Sequence, residues 1–162
     1  MKIHDISVTL TPELAVWPGD RAVYLQRERK IEEGSNSNVS RLDISVHTGT
    51  HVDAPVHFLP GGGTIENLAL ELLVGEAQVV HIAEDVELIT AKEICAAKIR
   101  EGMKRVLFKT RNSRFFPAQS SVFHTDFVGI NEEGAQLLVK MGLRLVGIDY
   151  LSVAPFKKTR PT

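Results

Sequence analysis

Hydrophobic and polar positions change rhythm halfway along the chain. In the first part, residues 39–46 alternate: Leu42, Ile44 and Val46 interleave with Arg41, Asp43 and Ser45, the period of a strand with one buried face. Residues 2–10 and 22–30 read as two further strands. Between them Thr11-Pro12-Glu13-Leu14 breaks the pattern, and Trp17-Pro18-Gly19-Asp20 has the composition of a turn. Gly34-Ser35-Asn36-Ser37-Asn38 is a loop by composition, and Pro60-Gly61-Gly62-Gly63 is another. In the second part strands and helices take turns. Residues 77–82 read as a strand. Thr90-Ala91-Lys92-Glu93 has the form of a capping box and predicts a helix running to about Glu101, with Gly102 at its end. Residues 105–110 read as a buried strand. Asn131 is placed to cap a second helix over residues 132–141, closed by Gly142, and residues 143–149 form the next strand. Strand-helix-strand-helix-strand predicts parallel pairing there, against an antiparallel or irregular front half. The expected class is α/β with a mixed sheet containing βαβ units, in one domain over residues 1–162.

Composition narrows the function classes. A hydrophobic share of 43% with 24% charged residues is that of an ordinary globular protein, and a net charge of −1 gives no bulk attraction to nucleic acid or to an anionic membrane. No apolar run approaches the roughly 20 residues that cross a bilayer. Met1-Lys2-Ile3-His4-Asp5 leads straight into strand-like pattern rather than into a secretory signal, and the single cysteine, Cys95, cannot make an internal disulfide. A cytoplasmic location is the expectation. Cys95 falls inside the first predicted helix and reads as packing rather than as a nucleophile.

The chemistry concentrates in one place. Three of the six histidines, His47, His51 and His57, lie within eleven residues and are joined by Asp53. An even spread would put fewer than one histidine there. Imidazole and carboxylate are the usual ligands of zinc and similar divalent ions. A helix is a poor host for this segment, because Thr48, Thr50 and Val52 are β-branched, Gly49 is flexible and Pro55 lacks an N–H. In an extended chain His47, His51, Asp53 and His57 would share one parity and one face. Yet His47 and His51 would then stand about 13 Å apart at ~3.3 Å per residue, too far for one ion. Gly49 is the position where a bend could swing His47 back toward His51. Pro55 would stiffen the exit and set His57 beyond the ligands, within reach of a substrate. His4, His81 and His124 each stand alone, and a lone histidine is usually structural or solvated. The sequence has no Gly-x-Ser-x-Gly, His-Glu-x-x-His or Gly-x-x-x-x-Gly-Lys, and Gly61-Gly62-Gly63 reads as a plain turn.

The run from His47 to Phe58, HTGTHVDAPVHF, resembles the signature of the cyclase family, whose best-known members are bacterial kynurenine formamidases (arylformamidases). Asp5-Ile6-Ser7, Trp17-Pro18-Gly19-Asp20 and Gly147-Ile148-Asp149 with Ser152 agree with it in order and position. The resemblance implies a swivelling β/β/α type of fold and a homodimer or higher oligomer. It implies metal-dependent hydrolysis of a small-molecule amide, of the arylformamidase type that serves tryptophan catabolism. A cyclic-amide or isatin-like substrate is the alternative, and a non-catalytic metal-binding relative a third. It assigns His47, His51 and Asp53 as metal ligands, with Asp53 bridging to a second ion, His57 as the catalytic acid/base, and Trp17 as a substrate-contacting aromatic. Two histidines and a carboxylate suit Zn2+ best, and Mn2+ is allowed. Family members continue beyond the region of Pro155 and bring a further His and Glu to the second ion. Here no Glu follows Glu133 and no His follows His124, so the expectation is a form shortened at its C-terminus, with a second site empty or weak.

Overall fold

The computed structural model describes residues 4–116 and 121–156. Their packing divides the chain into two units. Among the described residues, one holds 4–52, 116 and 121–123, the other 53–115 and 124–156.

The first unit is built on an antiparallel ribbon of β1 (Tyr24–Arg29) and β2 (Val39–Asp43). Between the strands the chain makes a short 3₁₀ turn closed by Gly34, whose φ of 89° is open to glycine at no steric cost. The strand expected over residues 39–46 is present but stops at Asp43, and its expected buried face is not formed: Leu42 and Val46 are 48% and 81% exposed. A two-stranded ribbon has no second layer of its own to cover either face. Residues 4–10 are not in a strand, contrary to their pattern. Asp5 turns the chain locally by accepting from the backbone N–H and the hydroxyl of Ser7, at 2.9 and 2.6 Å, a competition that short polar side chains win over a ladder. These bonds to Ser7 also hold the Asp5 carboxyl below its ordinary pKa. The turn at Trp17-Pro18-Gly19-Asp20 is present. Asp20 N–H donates to the Trp17 carbonyl at 2.9 Å, and Gly19 takes φ 99°, the type II arrangement that Pro-Gly favours.

After two short 3₁₀ turns the second unit has a one-turn helix, α1 (Leu70–Leu73), then β3 (Gln78–His81), β4 (Leu88–Ile89), α2 (Ala91–Ala96), β5 (Arg105–Lys109), β6 (Gly129–Ile130), α3 (Glu132–Lys140) and β7 (Leu145–Ile148). β5 is the centre of a parallel sheet with β3 and β7 on its two sides, and β4 pairs with β6, also parallel. The class is α/β with parallel and antiparallel sheets, as the rhythm of the sequence predicts. Val106 and Phe108 of β5 are buried on the face where Ile94 of α2 and Leu138 of α3 complete the core. One polar device and one close backbone approach tie the sheet end. The Asn112 side chain, fully buried, acts as a backbone mimic: it donates to the Val128 carbonyl at 2.9 Å and accepts from the Val128 N–H at 2.8 Å. Gly129 lies so close to residues 154–155 that a Cβ would stand 2.6 Å from the Pro155 nitrogen, so no side chain is accommodated.

Both helix starts follow the sequence. Thr90 accepts from Lys92 N–H at 3.2 Å while the Glu93 carboxylate receives the Thr90 N–H at 3.0 Å. Asn131 accepts from Gly134 N–H at 2.9 Å. The bond from the Thr90 hydroxyl, with that from its N–H, lowers the Glu93 pKa. Thr90→Ala should therefore lower stability by about 1 kcal/mol. In wild type the Glu93 contribution is present above the ordinary carboxylate range and is lost as acid protonates Glu93. Urea unfolding at neutral and acidic pH reads both. An equal midpoint for variant and wild type at neutral pH would contradict the cap. The end of α2 departs from expectation: it stops at Ala96 rather than near Glu101. Lys98 turns to φ 49°, and the freed backbone is taken up by Gln78 of β3, which accepts from Arg100 N–H at 2.9 Å and donates to the Lys98 carbonyl at 3.3 Å. Cys95 is exposed, not packed.

Candidate metal centre

The loop from residue 46 to residue 54 is neither helix nor strand, and it does not run straight, as the distance argument against a fully extended chain requires. The chain reverses instead at Gly49, in the left-handed region at φ 66°. As a result His47, His51 and Asp53 each bring one ligand atom into a group in which all three lie within 4.8 Å of one another. His47 and His51 are half-buried, and Asp53 lies nearer the surface. The two imidazoles meet edge to face, with ring centres 5.3 Å apart at 77°. His51 Nδ1 lies 2.9 Å from the Gly49 carbonyl oxygen. A carbonyl only accepts, so Nδ1 carries the proton and Nε2 keeps the lone pair that a metal needs. Gly49 thus supplies both the bend and the outer hydrogen bond of a ligand.

The donor set fits a divalent ion. Donors held about 2.0 to 2.2 Å from one centre must lie within about 4.4 Å of each other, which small side-chain rotations achieve from the observed separation. Inside the same loop Thr48 is only 6% exposed, and its hydroxyl oxygen has no hydrogen-bond partner. A buried unpaired hydroxyl costs roughly 1 to 3 kcal/mol. Its persistence beside His47 is in keeping with a loop shaped for a polar occupant.

His57 is not in the converging group. Pro55 does not stiffen an extended exit but starts a 3₁₀ turn, Pro55–His57, with the His57 N–H donating to the Ala54 carbonyl at 2.9 Å. The His57 ring is exposed and packs on Phe58 at 4.1 Å. The glycine loop after it, a plain turn by sequence, folds back on this turn. Val56 N–H donates to the Gly63 carbonyl at 3.1 Å, and a Cβ at Gly62 would meet the Pro55 carbonyl carbon at 2.8 Å. Trp17, at the first position of its turn, is 36% exposed, with its ring edge-on to Phe123 at 5.1 Å.

Several contributors escaped the sequence reading. The Val8 N–H donates to the Thr50 hydroxyl at 2.9 Å, and Leu10 and Leu14 sit against Gly49, 2.7 and 3.6 Å from where its Cβ would be. No periodicity signals such contacts. The stretch Gly147-Ile148-Asp149 proves structural. Asp149 accepts from the N–H and hydroxyl of Thr110, both at 2.8 Å, and from those of Ser113 at 3.0 and 2.5 Å. His124 is structural too: its ring stacks on Phe115 at 4.0 Å, and its backbone binds the Tyr150 hydroxyl in both directions. Burial raises the Tyr150 pKa, which keeps that hydroxyl neutral. Among the described residues no helix is long and apolar enough to cross a membrane.

A family model described as "Putative cyclase" matches residues 4–155. The chain is 38% identical to Cyclase-like protein 3 of Arabidopsis thaliana over 168 aligned positions, which take in 99% of this chain and 62% of that protein. It therefore spans about three-fifths of that relative's length. Two solved structures are similar in fold and sequence. One is described as a potential metal-dependent hydrolase with cyclase activity, at TM-score 0.75 and 34% identity over 94% of this chain and 69% of the other. The second is a "predicted metal-dependent hydrolase from Bacillus stearothermophilus", at TM-score 0.76 and 31% identity over 98% of this chain and 73% of the other.

Proposed function

The chain belongs to the cyclase family, and from that premise we propose that it serves as a metal-dependent hydrolase of an amide bond, of the arylformamidase type. The observation that carries the proposal is the convergence of His47, His51 and Asp53 at the Gly49 bend. A divalent ion held there, with zinc preferred for two imidazoles and a carboxylate, supplies Lewis acidity and brings the pKa of water toward ~7. The chain's own residues do the rest. His51 is oriented by the Gly49 carbonyl at Nδ1, which leaves Nε2 as its ligand atom. His57, exposed on a turn clamped by the glycine loop, carries the proton to the departing arylamine. Trp17, held at its turn and against Phe123, offers a ring to the aryl part of the substrate.

The test is a pair of measurements on the same preparation. Zinc titration of the metal-free protein should show one tight site, and the loaded protein should hydrolyse an N-formyl arylamine in preference to a cyclic imide. Preference for the cyclic imide would move the substrate class. Tight metal uptake with no turnover of either would reduce the protein to a metal binder.

A further inference from the structure

The residues from Val8 to Leu14 fail as a strand yet touch the metal loop at two points, its hinge Gly49 and the next residue, Thr50. The Val8 N–H donates to the Thr50 hydroxyl at 2.9 Å, one residue after Gly49 and one before His51. Leu10 lies directly on the Gly49 α-carbon, since a Cβ there would stand 2.7 Å from its Cδ2. Leu14 approaches the same point at 3.6 Å, brought back by the turn in which its N–H donates to the Thr11 carbonyl at 3.0 Å. Leu10 and Leu14 are half-buried, so this apolar contact is shielded from water on one side.

A glycine at φ 66° is a hinge with many alternatives, because glycine visits left- and right-handed regions about equally. Alone it would let His47 and His51 part. A packed side chain on its one open face and a hydrogen bond at its next neighbour remove most of those alternatives. We propose that Thr50 and Leu10 are positioning residues for the metal loop. Through them the N-terminal segment holds the hinge in the conformation that brings His47 and His51 together. The inference rests on the metal-dependent reading above and adds to it two residues that touch no ion.

Thr50 is exposed, so Thr50→Val removes the acceptor while keeping the shape and leaving the Val8 N–H to water. The full chain is stripped of metal and titrated with zinc against a competing chelator. Thr50→Val should bind zinc about tenfold more weakly, the lower end of what outer-shell changes cost, and Thr50→Ser should restore wild-type affinity. The metal-free melting temperature should be the same for all three, so that only the rise on adding zinc shrinks in the valine variant. Leu10→Ala, loaded with cobalt(II), should show a changed visible absorption, which reports ligand geometry rather than stability. Thr50→Val binding as tightly as wild type overturns the inference. So does a valine variant whose metal-free and metal-loaded forms lose stability equally, since that is a purely structural role. A wild-type chain that takes up no zinc overturns the functional reading, and this inference with it.

Discussion

His51→Ala should give a folded protein that no longer retains a divalent ion. The imidazole is half-buried, and its Nδ1 is engaged by the Gly49 carbonyl. Its loss removes one of three donors and releases the hinge carbonyl as well. The fall in zinc affinity should exceed the roughly 10- to 100-fold that outer-shell changes bring. Circular dichroism should remain that of wild type, because the core of Val106, Phe108, Ile94 and Leu138 lies in other elements. Metal content after dialysis is the measurement. A His51→Ala protein that keeps a stoichiometric ion would show that the ligands lie elsewhere.

His57→Ala should have the opposite signature, with metal retained and turnover lost. His57 stands outside the converging group and on a separate 3₁₀ turn, so its removal leaves His47, His51 and Asp53 in place. Acid/base catalysis by a positioned side chain is worth about 10² to 10⁴ in rate, and the loss should fall on kcat more than on KM. Zinc content and kcat measured on one preparation separate the possibilities. Metal lost in proportion to activity would make His57 a ligand.

The two halves of the molecule were unequally legible. The second unit was readable because its signals are local: the Thr90 capping box, the Asn131 cap and the apolar run of β5 each specify structure within a few residues. The loop of residues 47–57 was legible as chemistry but not as shape. The distance between His47 and His51 in an extended chain pointed to a bend at Gly49, but the torsion that sets the geometry is contained in no residue count. Residues 4–10 misled for a related reason. Their pattern suits a strand, but a strand needs a partner, and Asp5 binding Ser7 and Val8 binding Thr50 resolve the segment differently. The α2 end was hidden by Gln78, a residue twenty positions away from Lys98, whose carbonyl it holds. Tertiary hydrogen bonds of this kind leave no local trace.

The Gly49 hinge also bears on how fast and how completely an ion could be taken up. Fixing one residue's backbone takes roughly 1 to 2 kcal/mol of conformational entropy. A loop that stayed loose until a metal arrived would meet that cost at binding, residue by residue, and its affinity would fall accordingly. Here the reversal at Gly49, the tautomer of His51 and the seat of Leu10 are all set when the chain folds. The site is preorganised, and the ordering is charged to folding rather than to recognition.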